Sequence, residues 1–263
     1  MFGHDIPGCL VVNIDQTPLC YVNTGKYTFS FKGSKNVPIK GVDDKRQITA
    51  TFGVSSTGEF LPIQLIYTGT TARCLPKYVF PKSFSVGYTV NHWSNTEKSV
   101  EFFEDIIFPY FEKVKKEKEL PMEQHSMVIM DTFKGQDNDT LKELCFKNNC
   151  EIVIVPHNLT HKFQPLDISV NKAAKAFIQS RYNKWFSDEV SDQLKSGIVP
   201  TDVKISPTLS VLKPLHARWI VELYQYLCNE VEMIRSGFRA AGIIEAIKNT
   251  QEVMERVENP FHQ

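Results

Sequence analysis

The sequence predicts an α/β fold, in which a mixed β-sheet carries helices on its faces and is followed by a helical C-terminal segment. Three observations lead to this prediction. Short apolar runs rich in β-branched residues alternate with segments of helical periodicity. Two early runs are separated by a tight polar turn, which indicates a hairpin and antiparallel pairing. The later order of strand, helix and strand indicates parallel strands joined by crossover helices.

The composition is that of a globular protein without an extreme charge. Of the 263 residues 42% are hydrophobic, and 30 Lys and Arg side chains balance 30 Asp and Glu side chains. Zero net charge argues against a protein that mainly coats nucleic acid nonspecifically. No apolar stretch approaches the roughly 20 residues of a membrane span, and the six cysteines lack CxxC spacing. We therefore expect a soluble intracellular protein with reduced thiols and no membrane partner.

The first predicted strand is the run CLVVNID at residues 9–15, which Pro18 follows closely. Because proline cannot continue a central strand, we expect this strand to end near Asp15. Residues 21–40 have the composition of a loop. The alternating apolar residues on either side of the turn at residues 56–58 then predict a hairpin.

A helix is predicted after an irregular region. Residues 72–96 show no regular pattern, whereas residues 97–118 place apolar side chains at helical spacing. Either Ser94 or Asn95 is suited to cap this helix. Because proline disrupts the interior of a helix, Pro109 should kink the helix or split it in two.

Two more strands and a long helix follow. The runs HSMVIMD at 125–131 and CEIVIVP at 150–156 predict strands, and residues 139–148 predict the short helix between them. Asp167 then stands at the start of a long amphipathic helix. The apolar stripe of that helix is Val170, Ala174, Phe177, Ile178 and Trp185.

The remaining chain reads as helical. A helix is expected to begin at Ser206 and Pro207, another at Pro214, and a last one to cover residues 241–257. We accordingly divide the chain into a core at residues 1–200 and a helical extension at residues 201–263 that packs on the core.

Three aspartates are predicted to meet at one edge of the sheet. Asp15 and Asp131 each close a predicted strand, and Asp167 follows the last strand after a loop. Ligands of such sheets gather outside the carboxyl ends of parallel strands. Carboxylate oxygens are the ligands that Mg²⁺ and Mn²⁺ prefer, and without a cation three clustered carboxylates would repel one another. The pattern therefore predicts a site for two ions that supports in-line phosphoryl displacement.

Each aspartate also has a structural interpretation. Asp15 precedes Gln-Thr-Pro and is suited to start a turn. Asp167 is suited to cap a helix, a role worth about 1 kcal/mol. For Asp131 the structural interpretation is weakest, because a carboxylate that closes an apolar run needs a partner or an ion.

A rival site is a zinc site built from Cys145, Cys150, His157 and His161. Its spacing differs from that of a zinc finger, and the apolar run between the two pairs reads as a strand that would hold them apart. His161 and Asn158 could instead support the aspartate site through hydrogen bonds, or simply bond within their loop.

Three segments resemble the acidic motifs of the DDE superfamily endonucleases of the pogo, Tigger and jerky type. They are NIDQTPL at 13–19, VIMDTFKGQ at 128–136 and THKFQPLDISVNK at 160–172, and LKPLHARWIVELYQYL and SGFRAAGI near the C-terminus are also similar. The resemblance implies an RNase H-like fold and makes Asp15, Asp131 and Asp167 the catalytic, metal-binding residues. It further implies cleavage and joining of DNA with Mg²⁺ or Mn²⁺, nuclear localisation and descent from mobile elements.

With DNA as the implied partner, basic residues near the motifs become candidates for backbone contacts, although solvated surface is the ordinary role of any one of them. They are Lys26, Lys32, Lys35, Lys40, Lys45, Arg46, Lys134, Lys172 and Lys175.

The resemblance leaves three functions open: an active transposase core, a domesticated noncatalytic nuclear protein that binds DNA or chromatin partners, and an RNase H-like nuclease of another lineage. Relatives carry an upstream helix-turn-helix DNA-binding domain that is absent from this sequence, so we expect a fragment or a remnant. The second motif continues as TFKGQ rather than in the NAPSH-like manner of many relatives, which indicates a divergent branch. Whether the protein forms a homodimer is left open by the sequence.

Overall fold

The structure, a computed structural model, describes residues 6–22, 45–131 and 139–248. Within these ranges six strands form a mixed sheet, as the sequence predicts. The strands are β1 (Val11–Cys20), β2 (Gln47–Ser55), β3 (Gln64–Thr68), β4 (Ser85–Thr89), β5 (Ser126–Asp131) and β6 (Cys150–Val155). Their order across the sheet is β4-β3-β2-β1-β5-β6.

Helices accompany the sheet and continue beyond it. They are α1 (Thr96–Phe102), α2 (Phe108–Glu117), α3 (Asp139–Lys147), α4 (Thr160–Phe163), α5 (Asn171–Lys195), α6 (Leu209–Cys228) and α7 (Val231–Ala240). Two π-helical turns extend them: Phe103–Ile107 joins α1 to α2, and Leu166–Val170 leads into α5. In the described part of the chain, no helix combines the length and the apolar character that a membrane span requires.

Strand β1 pairs antiparallel with one neighbour and parallel with the other. It runs antiparallel to β2 from Val12 to Cys20, and its parallel pairing with β5 covers Val11 to Asn13. Strand β6 pairs parallel with β5. Because β1, β5 and β6 run in the same direction, their carboxyl ends meet at one edge of the sheet.

The prediction that the first strand ends near Asp15 is wrong, because β1 continues through Pro18 to Cys20. Pairing with β5 stops at Asn13, so among the described strands the second half of β1 pairs with β2 alone. Proline is tolerated in a strand that has one unpaired side. Asp15 therefore projects from the middle of β1 rather than from its end.

The predicted hairpin is confirmed, whereas the region predicted to be irregular contains a strand. Strands β2 and β3 pair antiparallel, and Gly58 has a φ of 98° in the turn between them. Strand β4 lies within residues 72–96 and pairs parallel with β3 at the edge of the sheet. All its residues are half-buried, so the contrast between its two faces is weak and the sequence pattern does not reveal it.

The helix predicted at residues 97–118 runs without a break from Thr96 to Glu117, and its helix type changes at a π-helical turn shortly before Pro109. The cap is Asn95, whose side-chain oxygen accepts a hydrogen bond from the backbone nitrogen of Lys98 at 2.9 Å. The π-helical turn at Phe103–Ile107 ends directly before α2. The proline predicted to disrupt the helix thus coincides with a local change of helix type rather than with a helix end.

The C-terminal helices share the core of the sheet. Trp219 from α6 and Phe238 from α7 are buried in the same hydrophobic cluster as the β1 residues Val12 and Ile14. The division into core and extension at residue 200 stays a prediction.

Two predictions about these helices need correction or completion. Pro214 does not begin a helix but lies inside α6, where the hydrogen bond it removes would have ended on Ser210 in the first turn. The last predicted helix, residues 241–257, is helical at 243–248, and its later part lies outside the described residues.

His216 is a buried histidine at the junction of sheet and helices. Its side chain is 0% exposed, and its ring centroid lies 4.7 Å from that of Tyr21 and 6.4 Å from that of Trp219. Burial lowers the pKa of His216 to about 3. The unfolded chain would take up a proton below its ordinary pKa of about 6.5, so stability is lost as the pH falls from there towards 3.

We predict that His216→Phe makes the protein less sensitive to acid. Between pH 7 and pH 4 the free energy of unfolding of the wild type should fall by about 3 kcal/mol more than that of the variant, at about 1.4 kcal/mol per pKa unit. Urea unfolding followed by circular dichroism at both pH values measures the difference. The exposed His161→Gln is the control and should follow the wild type; equal losses in all three proteins would contradict the assignment.

Candidate metal centre

Asp15 and Asp131 lie on the same face of neighbouring parallel strands. Asn13 of β1 pairs with Ile129 of β5, and each aspartate follows its strand's member of this pair by two residues. Side chains alternate between the two faces with a period of two, and neighbouring strands lie about 4.8 Å apart. The pairing therefore brings the two carboxylates to the same side of the sheet.

A buried amide fixes the turn that carries the third aspartate. Asn13 is 0% exposed, and its Nδ2 donates a hydrogen bond to the carbonyl oxygen of Ile129 at 2.9 Å. Its Oδ1 accepts a hydrogen bond from the backbone nitrogen of Leu166, also at 2.9 Å. Leu166 directly precedes Asp167 in the π-helical turn. One side chain thus ties β1, β5 and the Asp167 turn together.

A second amide lies between two of the carboxylates. Asn171 is the first residue of α5 and is 5% exposed. Its Nδ2 donates hydrogen bonds to Oδ2 of Asp15 at 2.5 Å and to Oδ1 of Asp167 at 3.0 Å. Residues four apart on a helix lie on the same face, so the helix presents Asp167 and Asn171 together. The two carboxylates therefore share one donor.

The negative charge of Asp15 is poorly compensated. Burial raises the pKa of Asp15 to about 7, and the charges of Asp167 and, to a smaller extent, Asp131 also raise it, whereas the hydrogen bond from Asn171 lowers it. Asp15 is buried, Asp131 is half-buried and Asp167 is exposed. The centre is therefore closed on the Asp15 side and accessible to solvent on the Asp167 side.

The donor groups suit a hard cation, although their present arrangement does not form a metal site. Across residues 6–22, 45–131 and 139–248, no three His, Cys, Asp or Glu side chains already converge as metal ligands. The Asn171 amide takes the position between Asp15 and Asp167. Within the same residues, Oδ1 of Asn171 is buried without a hydrogen-bond partner. Carboxylate and amide oxygens are the ligands of Mg²⁺ and Mn²⁺.

Helix α7 supports the turn that carries Asp167. A Cβ atom at Gly237 of α7 would lie 2.5 Å from Oγ of Ser169 and 2.7 Å from the carbonyl oxygen of Pro165. Both distances are shorter than van der Waals contact, so only glycine permits this approach. The hydroxyl of Ser169 donates a hydrogen bond to the same carbonyl oxygen at 2.9 Å. The turn is therefore held from β1 on one side and from α7 on the other.

The rival zinc site does not form among the described side chains. Cys145 and Cys150 are buried, whereas His161 and Asn158 are exposed on their loop. The side chain of His157 lies outside the described part. Zinc would need the two pairs to meet.

The predicted DNA contacts divide into three groups. Lys45, Lys172 and Lys175 are exposed. Arg46 donates a hydrogen bond from Nη2 to the carbonyl oxygen of Pro207 at 2.8 Å, which gives it a structural role. The remaining candidates lie outside the described residues: Lys26, Lys32, Lys35, Lys40 and Lys134.

Sequence reasoning assigned no role to Asn13 or Asn171. Both stand at informative spacings, since Asn13 precedes Asp15 by two residues on a strand and Asn171 follows Asp167 by four on a helix. Each spacing places the amide on the same face as its aspartate. Their spacing was visible in the sequence, whereas their burial and their partners were not.

A family model for the DDE superfamily endonucleases matches residues 45–205. Asp131 and Asp167 lie in the matched range, and Asp15 precedes it. Two relatives, from Homo sapiens and Mus musculus, are both described as "Pogo transposable element with KRAB domain". They are 25% identical over 262 and 260 residues, or 98% and 97% of this chain, and 39% of each relative is covered. The chain thus spans about two fifths of the length of the curated relatives it matches.

The fold is also similar to solved structures. A pre-cleavage Mos1 transpososome matches with a TM-score of 0.47 and 10% identity, over 86% of this chain and 55% of that one. The Mos1 mariner paired end complex with Mn matches with a TM-score of 0.45 and 10% identity, over 85% and 55% of the two chains. At such identity the likeness concerns the fold alone.

We predict that Asp15→Asn stabilises the metal-free protein at high pH. A buried carboxyl with a pKa of about 7 keeps a proton that the unfolded chain releases near pH 3.8, so its contribution to stability is lost as the pH rises through that window. The variant should be more stable than the wild type by about 4 kcal/mol at pH 8 and by little at pH 4. Thermal unfolding in EDTA measures this, and the exposed Asp202→Asn is the control. A variant less stable than the wild type at pH 8 would contradict the description of Asp15.

We predict that Asn13→Leu destabilises the protein. The substitution leaves two buried groups, the carbonyl of Ile129 and the N–H of Leu166, without their partner, at about 1–3 kcal/mol each. Urea unfolding at pH 7 measures the loss. The matched control is Asn229→Leu, which removes one exposed side-chain bond to the carbonyl of Gln225 and should cost less than 1 kcal/mol or so. Equal losses in both variants would contradict the joining role of Asn13.

Proposed function

The chain belongs to the DDE superfamily endonucleases, and we propose that it is a transposase-derived domain that cleaves and joins DNA phosphodiester bonds with Mg²⁺ or Mn²⁺. One observation carries the proposal: Asp15 hydrogen-bonds to the same amide as Asp167, and the charge of Asp131 acts on it as well. These acids come from distant parts of the sequence, and a shared cation would explain why carboxylates that repel one another are kept within range of each other.

Asp15, Asp131 and Asp167 would hold the cations. A bound pair of divalent ions supplies activation of the attacking oxygen and stabilisation of the leaving oxygen in an in-line displacement. Asp15 and Asp131 are anchored on adjacent strands, which fixes the inner wall of the centre. Asp167 is exposed and gives the scissile phosphate an open side to approach.

The chemistry has two steps that use the same centre. In cleavage, the oxygen of a water molecule bonds to phosphorus and the bond from phosphorus to O3′ breaks, which leaves a 3′-hydroxyl and a 5′-phosphate. In joining, that 3′-hydroxyl attacks a phosphodiester of a second duplex and displaces its O3′. Each step exchanges one phosphorus–oxygen bond for another, and no cofactor besides the cations is required.

DNA is the proposed partner, and the nucleus is the proposed compartment. The exposed Lys172 and Lys175 follow Asp167 on α5 and are placed to contact the phosphate backbone. Contacts of this kind weaken as salt concentration rises. Since the chain as a whole has no net charge, we expect a local basic strip rather than a broadly basic surface.

A noncatalytic nuclear protein that binds DNA or chromatin partners is the second candidate function. The observation in its favour is the hydrogen-bonded set of Asp15, Asn171 and Asp167, which is also what a purely structural polar network looks like. Such a network needs no cation. The two candidates therefore differ in whether the centre binds metal and cuts DNA.

We predict that the 263-residue chain nicks supercoiled plasmid DNA in the presence of Mn²⁺ and that Asp131→Asn lowers the rate about 100-fold or more, because the ion loses a charged ligand. Agarose gels that separate supercoiled from nicked plasmid measure the rate. The exposed Asp202→Asn is the matched control and should keep wild-type activity.

Two results would count against this proposal. Nicking that Asp131→Asn leaves unchanged would come from a contaminating nuclease or from another site. A wild type that neither nicks plasmid nor binds Mn²⁺, but retains plasmid in a gel-shift assay, would favour the noncatalytic function.

A further inference from the structure

We propose that Asn171 is a fourth residue of the metal site: its amide nitrogen takes the place of the cation in the metal-free protein, and its Oδ1 binds the cation when one is present. This inference rests on the proposed function, because it presumes that Asp15 and Asp167 bind a metal ion. It adds a neutral oxygen ligand to the three carboxylates.

The position of Asn171 is that of a cation between two anions. Its Nδ2 lies 2.5 Å from one carboxylate oxygen of Asp15 and 3.0 Å from one of Asp167. A single amide group donates both of its hydrogens to two acids that otherwise repel each other. These oxygens are the ones that a shared ion would contact.

The oxygen of the Asn171 amide makes no hydrogen bond to the described residues. Asn171 is 5% exposed, and within those residues its Oδ1 has no hydrogen-bond partner. An unpaired buried carbonyl costs about 1–3 kcal/mol, so proteins seldom keep one without a use. Any function of this oxygen must be possible while the Asn171 side chain lies between Asp15 and Asp167.

Rotation of the amide supplies that use. Turning the Asn171 side chain about its terminal bond exchanges Nδ2 and Oδ1 without moving α5, and this torsion is soft. Without a cation the rotation is unfavourable, because Oδ1 would face Asp15 and Asp167 directly. With a cation present it becomes favourable, since an amide oxygen is a ligand for Mg²⁺ or Mn²⁺ and an amide N–H is not.

Two substitutions separate the oxygen from the nitrogen. Asn171→Asp keeps the size and the oxygen but loses the donor, and Asn171→Ala loses both while favouring the helix. If Asn171 serves only as a hydrogen-bond donor, both variants lose the same function. If Oδ1 binds metal, Asn171→Asp retains a ligand and Asn171→Ala does not.

The experiment measures the Kd of Mn²⁺ for the full chain by isothermal titration calorimetry at pH 7.5. We expect Asn171→Ala to bind about 10-fold more weakly or worse, the usual scale for a lost group at a metal site. Asn171→Asp should bind within about 3-fold of the wild type or more tightly, because a carboxylate replaces a neutral oxygen. The exposed Asn183→Ala on α5 is the matched control and should bind as the wild type does.

Unfolding temperatures in EDTA provide the second readout. Asn171→Asp should unfold at a lower temperature than Asn171→Ala, because it adds a fourth negative charge where the donor had been, and Mn²⁺ should raise its unfolding temperature more than that of Asn171→Ala. Equal weakening of Mn²⁺ binding by both variants, with a wild type that binds, would overturn the ligand role alone. A wild type and an Asp131→Asn variant that both fail to bind Mn²⁺ would overturn the proposed function and this inference together.

Discussion

The side-chain amide of Asn13 is the contact on which the arrangement of the acidic centre depends. It is fully buried and bonds in two directions, to β5 through Ile129 and to the helical turn through Leu166. These bonds join three segments that are far apart in the sequence. Asn13 and Ile129 each stand two residues before an aspartate, and Leu166 stands directly before one. Because a buried amide with both halves satisfied has one favourable orientation, it sets position as well as stability. The rest of the fold supplies the strands that this residue aligns.

Around that contact the protein keeps charges that lower its own stability. Asp15 sits among buried residues of β1 while two other carboxylates act on it, and the compensation available in the described residues is an uncharged amide. Clusters of this kind persist at functional sites because the ligand supplies what the protein lacks. The proposed metal centre and the proposed role of Asn171 both follow from this uncompensated negative charge. The amide of Asn171 donates hydrogen bonds to two carboxylates but does not neutralise their charge, which a divalent ion would do.

The sequence predicted the sheet and most helices because their apolar periodicity is a local property. It placed Asp131 at the end of a strand and Asp167 at the start of a helix correctly. Its errors came from prolines and from the sheet edge. Pro18 is tolerated because β1 no longer pairs with β5 at that position. Pro214 is tolerated because it directly follows the first turn of α6. Neither circumstance can be read from the proline and its sequence neighbours alone. Strand β4 escaped notice because a half-buried edge strand lacks contrast between faces. The part of the centre that depends on long-range contacts, Asn13 and Asn171 above all, required the structure.

The glycine at position 237 links the C-terminal helices to the proposed metal centre. At Gly237 the backbone of α7 packs directly against Pro165 and Ser169, which flank the third acid. A truncated protein that ends after the long helix α5 would expose that segment to solvent and leave it anchored from one direction. The shortest protein that preserves the arrangement of the three aspartates must therefore include α7, although α7 contributes none of them.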